Sequence, residues 1–145
     1  MMRNWIVIAS NLCLLFVCHF AHAIEVSPGI QVKPLLQTSK SWVGDAIAYP
    51  AGVPEVTGQL VELAPGAETG WHRHPVASVG YVLQGELTVQ FEDGQTRVVK
   101  AGEAAVETML LRHNGKNTGN VPTKLVVFYL GATGVKTTIK DSVAH

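Results

Sequence analysis

Three histidines in this chain have the spacing of a metal site. His72 and His74 are separated by one residue, and His113 lies much further along the chain. If residues 71–74 are extended, His72 and His74 point to one face of the strand and Arg73 to the other, because side chains alternate along a strand. Two imidazoles on one face, joined by a third from a distant strand, make a nitrogen ligand set for a divalent transition metal. We therefore predict that His72, His74 and His113 bind a metal.

Residues 1–23 have the pattern of a signal peptide. Residues 6–20 are mostly apolar, and Ala21-His22-Ala23 is the small-x-small pattern that a signal peptidase cleaves. The apolar segment is shorter than the roughly 20 residues that a transmembrane helix needs. We predict cleavage after Ala23 and export, to a periplasm or as a secreted protein, with no stable membrane insertion after cleavage. An uncleaved membrane anchor is the alternative.

Cysteine and charge content exclude several kinds of site. Cleavage after Ala23 would remove both cysteines, Cys13 and Cys18, and with them any disulfide, thiolate ligand or cysteine nucleophile. Besides the three histidines above, the mature chain would keep only His145, the C-terminal residue, which we expect to be solvated. The 11 basic and 11 acidic residues balance and form no basic run, so we expect no nucleic-acid partner. The length indicates one domain with one core.

Short strands and turns are the elements that must position the histidines. Residues 24–55 contain several prolines and predict an extended arm that covers the edge of a sheet. Residues 56–131 contain short apolar or alternating runs separated by glycine turns, with a weaker strand near 103–109, and residues 132–145 predict a last strand or a tail. We find no convincing helical period. Many short strands with regular turns indicate an antiparallel sandwich or barrel.

Two motifs make residues 56–131 resemble the cupins, a family of small all-β proteins. The first motif runs from Gly66 through His72-x-His74 to Tyr81-Val82-Leu83-Gln84-Gly85, and the second retains Gly102, His113 and Asn117. The resemblance implies a jelly-roll β-barrel, the double-stranded β-helix, with the metal inside the barrel. We interpret Asn117 as a turn former that holds the loop of the third histidine through side-chain hydrogen bonds to the backbone.

The chain departs from the cupin pattern where the family has a glutamate ligand. Counting back from Gly85, Ser78 occupies that position, and the Pro-x-Gly of the second motif is replaced by Thr108-Met109-Leu110. The residue before this triplet is Glu107, and the resemblance implies that it faces into the barrel. A buried carboxylate needs a partner, so Glu107 is a candidate metal ligand and a candidate catalytic base. The alternatives are that Glu107 pairs with Arg112 or is exposed.

The resemblance also implies a metal and a class of function. It favours iron or manganese, and imidazole ligands leave nickel, copper and zinc open. One hypothesis is a metal-dependent oxygenase, a dioxygenase-like oxidoreductase acting on a small organic molecule. The other is a non-catalytic module that binds a metal or a small ligand.

Ser78 could hydrogen-bond a metal-bound water, and Trp71 and Tyr81 could line the pocket or pack in the core. Cupins often dimerise, so a homodimer is a further expectation.

Overall fold

The computed structural model describes residues 28–141. The predicted signal peptide, its cleavage site and His145 lie outside these residues. The chain divides into two compact units, Met1–Lys33 and Pro34–His145. In the first unit the described residues 28–33 are exposed and include a turn at Pro28-Gly29. All elements discussed below belong to the second unit.

The described residues form nine strands. They are β1 (Pro54–Leu63), β2 (His72–Arg73), β3 (Ala77–Gln84), β4 (Glu86–Phe91), β5 (Thr96–Lys100), β6 (Ala104–Val106), β7 (His113–Lys116), β8 (Thr123–Ala132) and β9 (Ile139–Lys140). One sheet has the order β1-β8-β3-β6 and the other β5-β4-β7-β2-β9. Every pairing is antiparallel. The predicted all-β jelly-roll fold is therefore confirmed. In this part of the chain no helix is long and apolar enough to cross a membrane.

The core lies between the two sheets because their strands alternate apolar and polar side chains. In β4, Leu87, Val89 and Phe91 are 5%, 1% and 3% exposed, and the intervening side chains face outward. Strand β8 presents Leu125 and Val127 to the same core. A strand buried on one face is stabilised by about 1.5–3 kcal/mol for each large apolar side chain removed from water. This alternation fixes which side chains enter the barrel.

Tight turns join these strands where glycine permits positive φ. Gly94 has φ 85° in the turn between β4 and β5, and its N–H donates to the Phe91 carbonyl at 3.0 Å. Gly85, with φ 71°, joins β3 to β4, and a Cβ there would lie 2.8 Å from the Pro122 carbonyl oxygen. The first position demands glycine for its conformation alone, whereas the second demands it for space as well.

The arm before β1 contacts the sheet at fewer points than expected. The backbone N–H of Trp42 donates to the Val106 carbonyl at 3.0 Å, so the arm contacts β6, which is an edge strand. Leu35, Leu36 and Tyr49 remain 50%, 42% and 72% exposed. The edge contact thus depends on the segment around Trp42, and the predicted domain boundaries stay a prediction.

One segment is shorter than its predicted strand, and another adopts one of its two predicted forms. The expected strand near 103–109 is only three residues long, because the chain leaves the sheet after Val106 and passes through Leu110 at φ 65°. The C-terminal segment, for which a tail was an alternative, forms β9 and pairs with β2, placing Lys140 opposite His72. Both segments end beside the histidines and therefore help to build the site.

Candidate metal centre

The three histidines come together because β2 and β7 are neighbours in one sheet. His72 in β2 pairs directly with His113 in β7, and His74 follows two residues after His72. Their ring centroids are 4.4–5.1 Å apart, and one ligand atom from each ring lies within 4.8 Å of the others. The three side chains are buried, whereas Arg73 is exposed, as alternation along the strand requires. The predicted three-histidine cluster is therefore present.

A hydrogen bond to a backbone carbonyl positions each of the three rings. His72 Nδ1 lies 2.7 Å from the Gly70 oxygen, His74 Nδ1 2.9 Å from the Thr137 oxygen, and His113 Nδ1 2.9 Å from the Leu111 oxygen. A carbonyl only accepts, so each Nδ1 must carry the hydrogen and donate it. In the neutral ring this leaves the Nε2 lone pair free, which is the tautomer that binds a metal.

The unpaired Nε2 of His113 fits a bound metal ion. This atom is buried and has no hydrogen-bond partner within the described residues. Burial lowers the pKa of His113, and burial likewise lowers the pKa of His72, so both rings favour the neutral form that a metal requires. A buried polar atom without a partner costs about 1–3 kcal/mol. Coordination would satisfy it, and the donor set therefore supports a divalent metal.

Glu107 points into the cluster and forms an ion pair with His74. Its Oε2 lies 3.1 Å from His74 Nε2 and accepts a hydrogen bond of 2.8 Å from Ser78 Oγ. Burial acts to raise the pKa of Glu107, but the hydrogen bond and charge of His74, the charge of His113 and the Ser78 hydrogen bond together lower it to about 2. Burial lowers the pKa of His74, but contact with Glu107 outweighs burial and raises it. The contact with Glu107 therefore stabilises the imidazolium form of His74.

The register between β3 and β6 explains why Glu107 reaches this position. Val79 pairs with Val106, and one residue beyond this pair the Glu107 N–H donates to the Ser78 carbonyl at 3.0 Å. Cross-strand neighbours share a face of the sheet, so the carboxylate enters the barrel beside Ser78. This is the side of the pocket where the cupin pattern places its glutamate. Arg112 is paired with Asp141 instead, so Glu107 neither pairs with Arg112 nor faces solvent.

Other residues of the site had weaker sequence signals or none. Tyr129 lines the pocket, with its ring centroid 5.2 Å from that of His74. It lies two residues after Val127 in β8, so alternation along the strand could have indicated that both side chains face inward. Burial, reinforced by the charge of Glu107, raises the pKa of Tyr129. The Thr137 carbonyl belongs to a segment with no motif, and nothing local indicated its contact with His74. Each was placed by tertiary pairing.

Three further candidates from the sequence take structural roles. Trp71 lies under the Arg112 guanidinium, which is 4.6 Å from the ring centroid. Tyr81 precedes the buried Val82 in β3 and therefore faces the other side of the sheet. Neither residue is among those that line the pocket. Asn117 holds its loop as expected, since its Nδ2 donates to the Leu63 and Val121 carbonyls at 3.0 and 2.8 Å. These contacts stabilise the strands that position the histidines.

Comparisons with known proteins agree with this architecture. Residues 59–129 match the family described as Cupin domain (Cupin_2). The chain is 40% identical over 49 residues to Oryzines biosynthesis cluster protein J of Aspergillus oryzae, covering 34% of this chain and 27% of that protein. It is 34% identical over 84 residues to Tetracenomycin polyketide synthase protein TcmJ of Streptomyces glaucescens, covering 56% of each chain. The matched part thus spans less than two thirds of either relative.

A solved structure shows the same fold. A Klebsiella pneumoniae protein described as having a double-stranded β-helix domain superposes with a TM-score of 0.52 at 22% identity, covering 66% of this chain and 90% of that one. At this identity the likeness establishes the fold alone. The relation to the cupins therefore depends on the domain matched over residues 59–129.

Proposed function

We propose that this chain, which has a cupin domain over residues 59–129, binds a divalent transition metal through His72, His74 and His113 and presents it to a small organic molecule. The observation that supports this most strongly is the way the three rings are held. Every Nδ1 is engaged by a carbonyl, which leaves each Nε2 as the candidate ligand atom, and one ligand atom from each ring lies within 4.8 Å of the others. A ligand set of three histidines leaves coordination positions for other groups.

A metal held there would act as a Lewis acid whose remaining positions accept an organic oxygen ligand and dioxygen. His74 must release its Nε2 proton to solvent to become a ligand, because a protonated imidazole has no lone pair. Its ion pair with Glu107 then breaks, and the carboxylate, still held by Ser78, becomes a free acceptor within reach of the same space. Glu107 can then serve as a fourth ligand or as a base that takes a proton from the bound molecule.

Metal analysis of variants tests the site. We expect about one equivalent of a transition metal in the purified protein and none in His72→Ala, His74→Ala or His113→Ala. Arg73→Ala is the matched control, because this side chain is exposed in the same strand. Absence of metal under every loading condition would refute the proposal, and the barrel would then be a metal-free pocket.

The variant Glu107→Gln separates the two roles of the carboxylate. If Glu107 is a ligand, the variant loses the metal; if it acts beside a three-histidine site, the metal remains and the affinity falls by about 10–100-fold. The open three-histidine outcome favours an oxygenase, and a closed four-ligand site favours a binding module. We propose iron or manganese first, with nickel, copper and zinc as alternatives.

We favour the oxygenase because the histidine cluster borders a cavity instead of being enclosed by ligands on all sides. The two relatives are named for a biosynthesis cluster and a polyketide synthase, which supports an organic molecule as the ligand. Dioxygen consumption by the metal-loaded protein, with small phenols and carboxylic acids as trial substrates, tests this activity. Binding without consumption would favour the alternative, a non-catalytic metal- or ligand-binding module.

Export to a periplasm, and assembly as a homodimer, remain parts of the proposal.

A further inference from the structure

The cavity beside the histidines has one polar side and otherwise apolar walls. The space bounded by its lining residues is about 400 Å³, including the part open to solvent. The polar groups, the three histidines with Glu107, Thr69 and Tyr129, surround the proposed metal position. The rest of the wall is aliphatic and comprises Val61, Leu63, Leu87, Val89, Leu125 and Val127. A molecule bound to the metal would therefore place its remaining atoms against hydrocarbon.

No positively charged side chain of the described residues lines this cavity apart from the histidines themselves. A second carboxylate or a phosphate on the ligand would have to leave water without a Lys or Arg to pair with it, and such burial is strongly unfavourable. A polyol would likewise lose hydrogen bonds to water and find few partners on aliphatic walls. These costs exclude strongly polar ligands and favour a compact molecule with one polar head.

A second cavity adjoins the first, and one residue of its wall has an unused hydrogen-bond donor. The space bounded by its lining residues is smaller, about 240 Å³ including the part open to solvent, and it shares Leu87, Leu125 and Glu107 with the first cavity. Trp42 forms part of its wall, and the Trp42 Nε1 atom is buried without a hydrogen-bond partner. The backbone N–H of Trp42 donates to the Val106 carbonyl, and its ring packs edge-on against Phe91 with 5.9 Å between the ring centroids.

We propose that the barrel binds a small molecule with one metal-binding oxygen group, an apolar body and a hydrogen-bond acceptor at its far end for the Trp42 indole N–H. The head group meets the metal, so this inference rests on the proposed function. The body displaces water from the aliphatic walls, which favours binding in proportion to the apolar area that is buried. The acceptor satisfies the one indole donor that the described part of the protein leaves buried and unpaired.

Three series of acids, titrated into the metal-loaded protein by calorimetry, test this class. The series are straight-chain monocarboxylates, dicarboxylates of equal length, and monocarboxylates with a ketone oxygen next to the terminal methyl. We expect monocarboxylates to bind at least about tenfold more tightly than dicarboxylates of the same length, because only the latter bury an unpaired charge. We also expect one chain length of the keto acids to bind about 5–10-fold more tightly than the plain acid, because only that length places its acceptor at Trp42.

The variant Trp42→Phe keeps an aromatic ring and removes the donor. We expect it to retain its metal and to lose the keto-acid advantage, whereas Trp71→Phe, at a tryptophan outside both cavities, should keep that advantage. If dicarboxylates bind as tightly as monocarboxylates, or if no acid binds the metal-loaded protein, the proposed ligand class is wrong. If no keto acid has an advantage in the unmodified protein, or if the advantage survives in Trp42→Phe, the role of Trp42 is wrong. Neither result would affect the metal site, which fails only if the protein holds no metal.

Discussion

At the scale of single residues, the site depends on which nitrogen of each ring carries the proton. Three backbone carbonyls set this for His72, His74 and His113 by accepting from Nδ1. Glu107 then distinguishes His74 from the other two, because its carboxylate raises the pKa of His74 while burial lowers the pKa of His72 and of His113. At a pH between the lowered pKa values of His72 and His113 and the raised pKa of His74, His74 therefore holds a proton while the other two rings are neutral and able to bind a metal.

This difference predicts how metal affinity changes with pH. Below the raised pKa of His74 a metal must displace the His74 proton, so the affinity falls by about tenfold for each pH unit of acidification and levels off above that pKa. Replacing Glu107 with Gln removes the negative charge that raises this pKa. The pH range in which affinity declines should then move to lower pH, whatever the absolute affinity of the variant.

Metal titrations between pH 5 and 8, in a buffer that does not bind metals, measure this shift. Glu92→Gln is the matched control, because Glu92 is an exposed acid outside the site. If the decline covers the same pH range in the unmodified protein and in Glu107→Gln, then Glu107 does not control the proton on His74.

At the scale of elements, short strands position the site and loops connect the strands at fixed geometry. Strand β7 presents His113 to β2, and the loop after β7 is held by Asn117, which is fully buried. Asn117 Nδ2 donates to the Leu63 carbonyl at the end of β1, and its Oδ1 accepts from the Gly119 N–H at 3.0 Å. A single amide therefore joins segments of both sheets.

The variant Asn117→Ala should destabilise the fold. It leaves the Leu63 and Val121 carbonyls without their donor, and each buried unpaired group costs about 1–3 kcal/mol. We expect a loss of about 3 kcal/mol in the free energy of unfolding, measured by denaturant titration. Asn120→Ala, at an exposed position of the same loop, should change the stability by less than about 0.5 kcal/mol. Equal effects of the two variants would contradict the structural role of Asn117.

Two glycines with similar φ separate conformational strain from steric clash. Gly94→Ala should cost about 1–2 kcal/mol for the left-handed backbone alone, because nothing lies within 4 Å of the added Cβ. Gly85→Ala has the same strain and also places a Cβ 2.8 Å from the Pro122 oxygen, so it should cost clearly more. Thermal unfolding of both variants measures the difference, and a smaller loss for Gly85→Ala would show that the β3–β4 turn relaxes freely.

At the scale of the whole molecule, the metal would connect segments that are distant in sequence. His72 and His74 follow the Pro65-Gly66 turn, and His113 begins β7. Glu107 follows β6, and Thr137 precedes β9. A metal that binds all three histidines can bind the folded chain but not a chain in which these segments are apart. Metal binding should therefore stabilise the fold as a whole.

The size of this stabilisation follows from mass action. At a free metal concentration about 100 times the Kd, the folded state gains about 2.7 kcal/mol, which should raise Tm on the order of 10 °C. A chelator should reverse the shift, and His113→Ala should show none. Calorimetric melting with and without metal measures it. A similar shift in His113→Ala would mean that the metal binds elsewhere.

The sequence by itself determined the strand pattern and the shared face of His72 and His74, because both follow from local rules. Side chains alternate along a strand, so His72 and His74 share a face and Leu87, Val89 and Phe91 share another. The resemblance of the two motifs then indicated that His113 joins them in a cupin barrel. Glycine turns and alternating runs over residues 56–131 predicted many short strands, and the weaker strand expected near 103–109 is three residues long.

The tertiary structure alone decided what surrounds the histidines. The register of β3 against β6 places Glu107 beside Ser78 and within 3.1 Å of His74, and a sequence offers no measure of register between strands that are far apart. The path of the C-terminal segment brings the Thr137 carbonyl to His74, and the docking of the arm leaves the Trp42 indole N–H buried without an acceptor. These contacts join residues with large sequence separation. Their geometry depends on how the whole chain packs, and so no local pattern encodes it.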